Sequence, residues 1–258
     1  MPGPPAVGPA WTVGRAVRQG GDHRARGLPC QDVVGLRRRP DGGLLAALAD
    51  GAGSAEDAGR GAAIAVAAAI DHLDRALDAT AAAAADDALE SLGLGALAAA
   101  AAALDGRHQA CTLILCAALP HRLLAAQVGD GFLVVGDGAP DHDHDHDHDP
   151  PVYRRALPGW RGEHVNETVF LTDADWRAWA RVAVVAPPGF LCLSSDGLEH
   201  LAIRRDGDHP HTGFFRPLDR FLGQEPADPD AALAAFLAAP ETAARSADDL
   251  SLIVAVRR

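Results

Sequence analysis

Apolar positions along this chain follow two different periods, and the switch between them outlines the fold. Residues 11–17 (WTVGRAV) alternate well enough for a first strand, and the polar, Arg-containing segment 18–27 follows. Residues 33–38 are short and β-compatible, and Asp41-Gly42-Gly43 supplies a turn into the apolar run 44–49. This pattern predicts a hairpin whose second strand ends at Asp50. Beyond Gly53 and Ser54 the period becomes helical. Val66, Ile70, Leu73 and Leu77 lie on one stripe, and Leu89, Leu92, Ala96, Ala99 and Ala103 repeat it after an Ala/Asp linker. Both segments are rich in alanine, which favours helix and permits close approach to a sheet.

Three β-like runs come next, at 112–119, 123–128 and 132–135, separated by Pro120-His121-Arg122 and by Gly129-Asp130-Gly131. The connections are too short for parallel crossovers, so the three read as an antiparallel meander. A Trp-containing segment, 160–179, leads to strands at 182–186 and 190–193 and a helix-like turn carrying Leu198 and Leu201. A short helix at 230–239, stopped by Pro240, precedes a last buried strand at 250–256. This order favours antiparallel sheets covered by helices over a βαβ sheet.

Length and composition narrow the class. At 258 residues, 48% hydrophobic and 22% charged, the chain has the make-up of a globular protein with a sizeable core. The net charge of −12 argues against nucleic acid, whose phosphate backbone calls for clustered Lys and Arg. Cys30, Cys111, Cys116 and Cys192 form no C-x-x-C pair, and three sit in apolar runs, so a reducing compartment is expected. Residues 1–10, rich in Pro and Gly, read as a flexible tail rather than a signal peptide. No apolar run approaches the roughly 20 residues that span a bilayer. A cytoplasmic protein with no membrane partner is expected, with residues 11–258 as a single domain.

Candidate chemistry comes from the aspartates. Seven Asp-Gly pairs occur, and Asp-Gly is first a hairpin turn. Asp41, Asp105, Asp137 and Asp206 lie in polar surroundings that a turn explains. Asp50, Asp130 and Asp196 instead each close an apolar run (LLAALAD, LLAAQVGD, FLCLSSD), where a partly desolvated carboxylate needs a cation or a hydrogen-bond network. Asp248-Asp249 precedes the final apolar strand and Asp32 precedes Val33-Val34. Oxygen ligands of this kind suit Mg²⁺ or Mn²⁺, and two such ions about 4 Å apart activate water against a phosphoryl group.

The segments ALADGAGS (47–54), QVGDG (127–131), LSSDGL (193–198) and SADDLSLIV (246–254), in that order, resemble the successive motifs of the metal-dependent protein phosphatases of the 2C type, the PPM family. HRARGLPCQD (23–32) is similar to the opening motif of a bacterial branch with G-x-P-C-Q-D, and GEHVNETVFLT (162–172) and GFFRPL (213–218) also resemble that branch. The resemblance runs from about residue 11 to residue 256. It implies an α+β fold, a four-layer α-β-β-α sandwich of two antiparallel sheets flanked by helices, with a metal cleft at one end. It also implies hydrolysis of phosphoserine or phosphothreonine by metal-activated water, with two or three Mn²⁺ or Mg²⁺ ions. By the same resemblance Asp50 bridges two metals, the Gly51 carbonyl ligates one, Asp196 and Asp248 complete the first site, and Asp130 sits near a third. Asp50, Asp196 and Asp32 are thus the expected catalytic carboxylates. Arg26, then Arg24, is the expected phosphate ligand, and Asn166 and Glu167 fall in a flap beside the cleft. The implied partner is a phosphorylated protein with a cognate serine/threonine kinase.

Two departures stand out. Many relatives carry Glu-Asp where this chain has Gln31-Asp32, which makes the second metal depend on Asp32. Many also carry a histidine just after the bridging Asp-Gly, and ADGAGS has none; His23 is a substitute by position but reads first as a surface histidine. These departures define the alternative, a non-catalytic binding module of the same fold. The Asp-His alternation at 141–149, within a loop expected to be disordered at 139–151, reads as an incidental surface feature rather than a Ni²⁺, Zn²⁺ or Cu²⁺ site. Ser194-Ser195 lack a nucleophile-elbow pattern, and no phosphate-binding P-loop is present.

Overall fold

The structure is a computed structural model that describes residues 11–80, 85–137, 152–159, 168–204 and 209–257. The N-terminal tail, the Asp-His tract and the Asn166-Glu167 pair lie outside the described residues. In chain order the elements are β1 (Trp11–Arg18), α1 (Gly21–Ala25), β2 (Val33–Arg38), β3 (Leu44–Ala49), α2 (Ala58–Asp78), α3 (Asp86–Ala103), β4 (Leu113–Ala118), β5 (Leu123–Val128), β6 (Phe132–Gly136) and β7 (Tyr153–Arg155). There follow α4 (Trp176–Trp179), β8 (Arg181–Val185), β9 (Phe190–Ser194), a 3₁₀ turn (Asp196–Leu198), α5 (Glu199–Ala202), β10 (Ile203–Arg204), β11 (His209–Pro210), α6 (Thr212–Gly223), α7 (Pro229–Ala238), α8 (Pro240–Ala243) and β12 (Leu250–Arg257).

The strands form two five-stranded antiparallel sheets, β1-β12-β9-β6-β7 and β2-β3-β4-β5-β8, plus the small hairpin β10-β11. Period-two alternation in a fully apolar strand explains the layering. In β3, Leu44, Ala46 and Leu48 face the opposite sheet, packing with Ile114, Leu133, Leu193 and Ile253. Leu45, Ala47 and Ala49 face the other way, onto Val66, Ile70 and Leu73 of α2 and Leu97 of α3. The first sheet buries its outer face under α6 and α7, through Phe132, Phe190, Phe215, Leu222 and Leu233. The result is an α-β-β-α sandwich with a core between each pair of layers.

Three features differ from the sequence pattern. The runs 123–128 and 132–135 do not pair; β5 joins β4 and β8, whereas β6 joins β9 and β7 in the other sheet. The short break between them is a corner that carries the chain from sheet to sheet, with Gly129 at φ 101° where a side chain is strained. The buried stripe of α3 is Leu89, Gly93, Ala96, Leu97 and Ala100, so Ala99 and Ala103 lie off it, because in a run of alanines the period does not mark a face. Finally, α6 is a 12-residue helix that GFFRPL concealed, since Pro217 within it reads as a breaker. Its Phe215, Leu218 and Leu222 nonetheless form one buried face.

Candidate active site

The cleft opens where several strand ends meet. Asp50 follows β3 directly, and its backbone is pinned on both sides: its N–H donates to Thr112 Oγ1 at 3.1 Å, and its carbonyl accepts from the Thr112 N–H at 2.8 Å. Gly51 then passes so close to the start of α2 that a first side-chain carbon would lie 2.9 Å from the Ala58 backbone carbon. Only glycine lets the strand end and helix start meet there. Asp130 sits on the corner between the sheets and accepts from the Thr168 hydroxyl. Asp196 opens the 3₁₀ turn after β9, and Asp248 precedes β12.

Asp50, Gly51, Asp130, Asp196 and Asp248 line one cleft of about 540 Å³, together with Arg26, His23, Asp22, Thr112, Thr168, Phe170, His200 and Arg245. Asp32 does not reach the cleft wall. It is 4% exposed behind it, where its Oδ2 accepts from Ser195 Oγ at 2.8 Å. Of the two candidate arginines, Arg26 lines the cleft, while Arg24 turns its guanidinium to the Gln19 carbonyl at 3.0 Å. Gln31 is buried, and its backbone N–H donates to Asp249 at 2.6 Å.

The carboxylates hold one another in an uneasy state. Burial, then the charges of Asp32, Asp196, Asp248 and Asp130, pushes the Asp50 carboxyl well above the ordinary range. Burial, with Asp130 and Asp248 next, raises Asp196 to about 7. Burial also raises Asp32 to about 6, against the nearby hydroxyls of Ser251 and Ser195, which favour its charged form. Asp32 Oδ1 and Asp196 Oδ1 are buried with no hydrogen-bond partner.

Acceptor-only oxygens in this number fit a hard divalent cation, which would satisfy the orphaned atoms and remove the repulsion. The fit is one of chemistry: among the described residues no three His, Cys, Asp or Glu side chains are gathered as a ready-made ion site.

The profile of the protein phosphatase 2C family matches residues 19–238, spanning the opening segment, Asp50, Asp130 and Asp196. The chain belongs to that family. It is 30% identical over 267 residues to the serine/threonine-protein phosphatase 3 of Escherichia coli, covering 96% of this chain and 98% of the relative. Two solved structures share the fold. The serine/threonine phosphatase of S. agalactiae aligns at a TM-score of 0.61 with 14% identity over 96% of this chain and 100% of its own. The serine/threonine phosphatase of Staphylococcus aureus aligns at 0.57 with 16% identity over 99% of each.

Against the family pattern, the largest surprise is His23. It is no surface residue: it is 5% exposed, and its Nδ1 lies 2.7 Å from Asp249 Oδ2. Asp249, 2% exposed, also accepts from the N–H groups of Gly20 at 2.7 Å and Gln31 at 2.6 Å, so it anchors both ends of the opening segment to the start of β12. The pair Asp248-Asp249 thus divides its work: the first carboxylate faces the cleft, the second the protein. Arg245 and His200 were missed in the sequence, since single polar residues in a loop and on a short helix carry no local signal.

Proposed function

We propose that this chain is a serine/threonine protein phosphatase that hydrolyses phosphoserine and phosphothreonine in partner proteins with bound Mn²⁺ or Mg²⁺. The observation that carries the reading is the convergence of Asp50, Asp130, Asp196 and Asp248 on one cleft in a chain of the 2C family, with buried carboxylate oxygens left unpartnered. Asp50, Asp196, Asp248 and the Gly51 carbonyl would hold the first ions and Asp130 would contribute to a third; Asp32 lies behind the cleft wall, so a contribution to the second would come through its unpartnered Oδ1. Divalent ions there supply activated water and neutralise phosphoryl charge.

The remaining work belongs to the protein's own side chains. Arg26 is a guanidinium on the cleft with no carboxylate partner among the described residues, suited to hold a phosphate in bidentate fashion. Thr112 fixes Asp50, Thr168 orients Asp130, and Ser195 orients Asp32. The nucleophile is water, so no protein residue is acylated or phosphorylated on the way. A cognate kinase would supply the phosphorylated partner protein.

Nothing in the comparisons favours the alternative of a non-catalytic binding module. Release of inorganic phosphate from a phosphothreonine peptide on addition of Mn²⁺, absent in Asp50→Asn, tests the proposal. Tight peptide binding without phosphate release would restore the alternative. Among the described residues no helix is long and apolar enough to cross a membrane.

A further inference from the structure

The loop after Asp50 is unusually bare: Gly51, Ala52 and Gly53 carry almost no side chain. The space in front of Gly53 is taken from another part of the chain. A first side-chain carbon at Gly53 would lie 3.6 Å from His23 Nε2 and 3.9 Å from Arg26 Nη2. His23 and Arg26, three residues apart on and just after α1, therefore both face the loop that follows Asp50. Both line the cleft.

The imidazole is held from behind. Asp249, itself buried and fixed by the Gly20 and Gln31 N–H groups, takes the Nδ1 side, which leaves Nε2 as the nitrogen toward the cleft. A buried carboxylate on Nδ1 fixes the orientation of the ring and its tautomer. The charged groups around His23 are Asp249 in contact, and Asp22, Arg26, Asp50, Asp248 and Arg245 around the same cleft.

Resting on the phosphatase reading above, we propose that His23 is the general acid of the reaction and that Asp249 is its positioning residue. A phosphate monoester held by Arg26 places its ester oxygen beside the neighbouring imidazole. As a water oxygen forms the new bond to phosphorus, the ester P–O bond breaks and its electron pair goes to the serine or threonine oxygen. That oxygen takes the proton from His23 Nε2 and leaves as the alcohol. The proton that the attacking water gives up passes to solvent, and His23 is reprotonated from solvent, so the balance is ester plus water to alcohol plus phosphate.

The test compares leaving groups. A serine or threonine alkoxide leaves only with a proton, whereas p-nitrophenolate leaves without one. His23→Asn keeps an amide donor near the Nδ1 position for Asp249 and deletes Nε2; His23→Gln is the second variant, and circular dichroism with Mn²⁺ binding reports folding. The expected result is a loss of kcat on a phosphothreonine peptide of roughly 100-fold or more, the usual size of general-acid effects. The loss on p-nitrophenyl phosphate should be far smaller, and Asp249→Asn should show the same imbalance to a lesser degree. Equal losses on both substrates would make His23 structural and overturn the inference, as would no loss on either. A wild-type chain inactive on both substrates would instead contradict the phosphatase reading on which it rests.

Discussion

Ser195 donates its hydroxyl to Asp32 across 2.8 Å, joining the turn after β9 to the residue just before β2, 163 positions away in the chain. Ser251 donates in turn to Ser195 at 3.1 Å, so the bond belongs to a short buried relay that ends on a carboxylate. Asp32 and Ser195 are both essentially buried.

Removing that donor should be felt most when Asp32 is charged. Ser195→Ala should cost about 1–3 kcal/mol, the usual loss for a hydrogen bond to a buried ionised group. Without metal the loss should be larger at pH 8 than at pH 5, because Asp32, raised to about 6, is ionised only at the higher pH. Urea unfolding at the two pH values measures it; equal losses would mean that the serine serves packing alone.

The raised carboxyls also predict how pH acts on the metal-free chain. A carboxyl held above its unfolded value, ordinarily 3.8, adds stability that is complete below that value and is lost as pH rises through the folded one. For Asp32 near 6 and Asp196 near 7, the loss falls between about pH 4 and pH 7. The metal-free Tm should drop across that window by on the order of 5 °C, and saturating Mn²⁺ should reverse the drop at pH 8. A Tm that is flat with pH and indifferent to Mn²⁺ would argue that the carboxylates are already relieved.

At the corner between the sheets, Gly129→Ala meets two obstacles. Its φ of 101° strains any side chain, and the new carbon would lie 2.5 Å from Thr112 Cγ2, on the residue that pins Asp50. We expect a cost of about 2–4 kcal/mol, strain and overpacking together, with loss of activity. Gly27→Ala is the control: its φ is 68° but nothing lies within 4 Å, so strain of about 1 kcal/mol is all that remains. Chemical denaturation of both variants checks the contrast.

Arg26 and Arg24 should separate in kinetics. Arg26→Ala should lower kcat/KM on a phosphopeptide by roughly 10–100-fold, the range for losing charge-assisted hydrogen bonds to phosphate. Arg24→Ala, whose guanidinium is spent on the Gln19 carbonyl, should stay within about 2-fold. Steady-state kinetics on the two variants decides between the arginines.

What could be read in the sequence was whatever has a short-range signature. Strands such as 44–49 announce themselves by apolar continuity, and the carboxylates at their ends by being where a charge does not belong. The sheet that a strand joins is a long-range fact: nothing in 123–135 says that Gly129 turns the chain out of one sheet and into the other. Proline hid α6, because a breaker and an early helix residue look alike without the packing of Phe215 and Leu222. His23 was misread for the same reason. Its polar neighbours suggest a surface, while the carboxylate that buries it, Asp249, lies 226 residues away.

If ions held by the aspartate cleft drive phosphate release, a single Mn²⁺ titration should reveal it. Phosphate release from a phosphothreonine peptide is followed against Mn²⁺ concentration for the wild type, Asp196→Asn and a chain lacking residues 141–149. Turnover that rises with Mn²⁺ in the wild type, survives loss of the Asp-His tract and vanishes in Asp196→Asn is the predicted result. Turnover undiminished in Asp196→Asn, or lost only with the tract, would contradict the account.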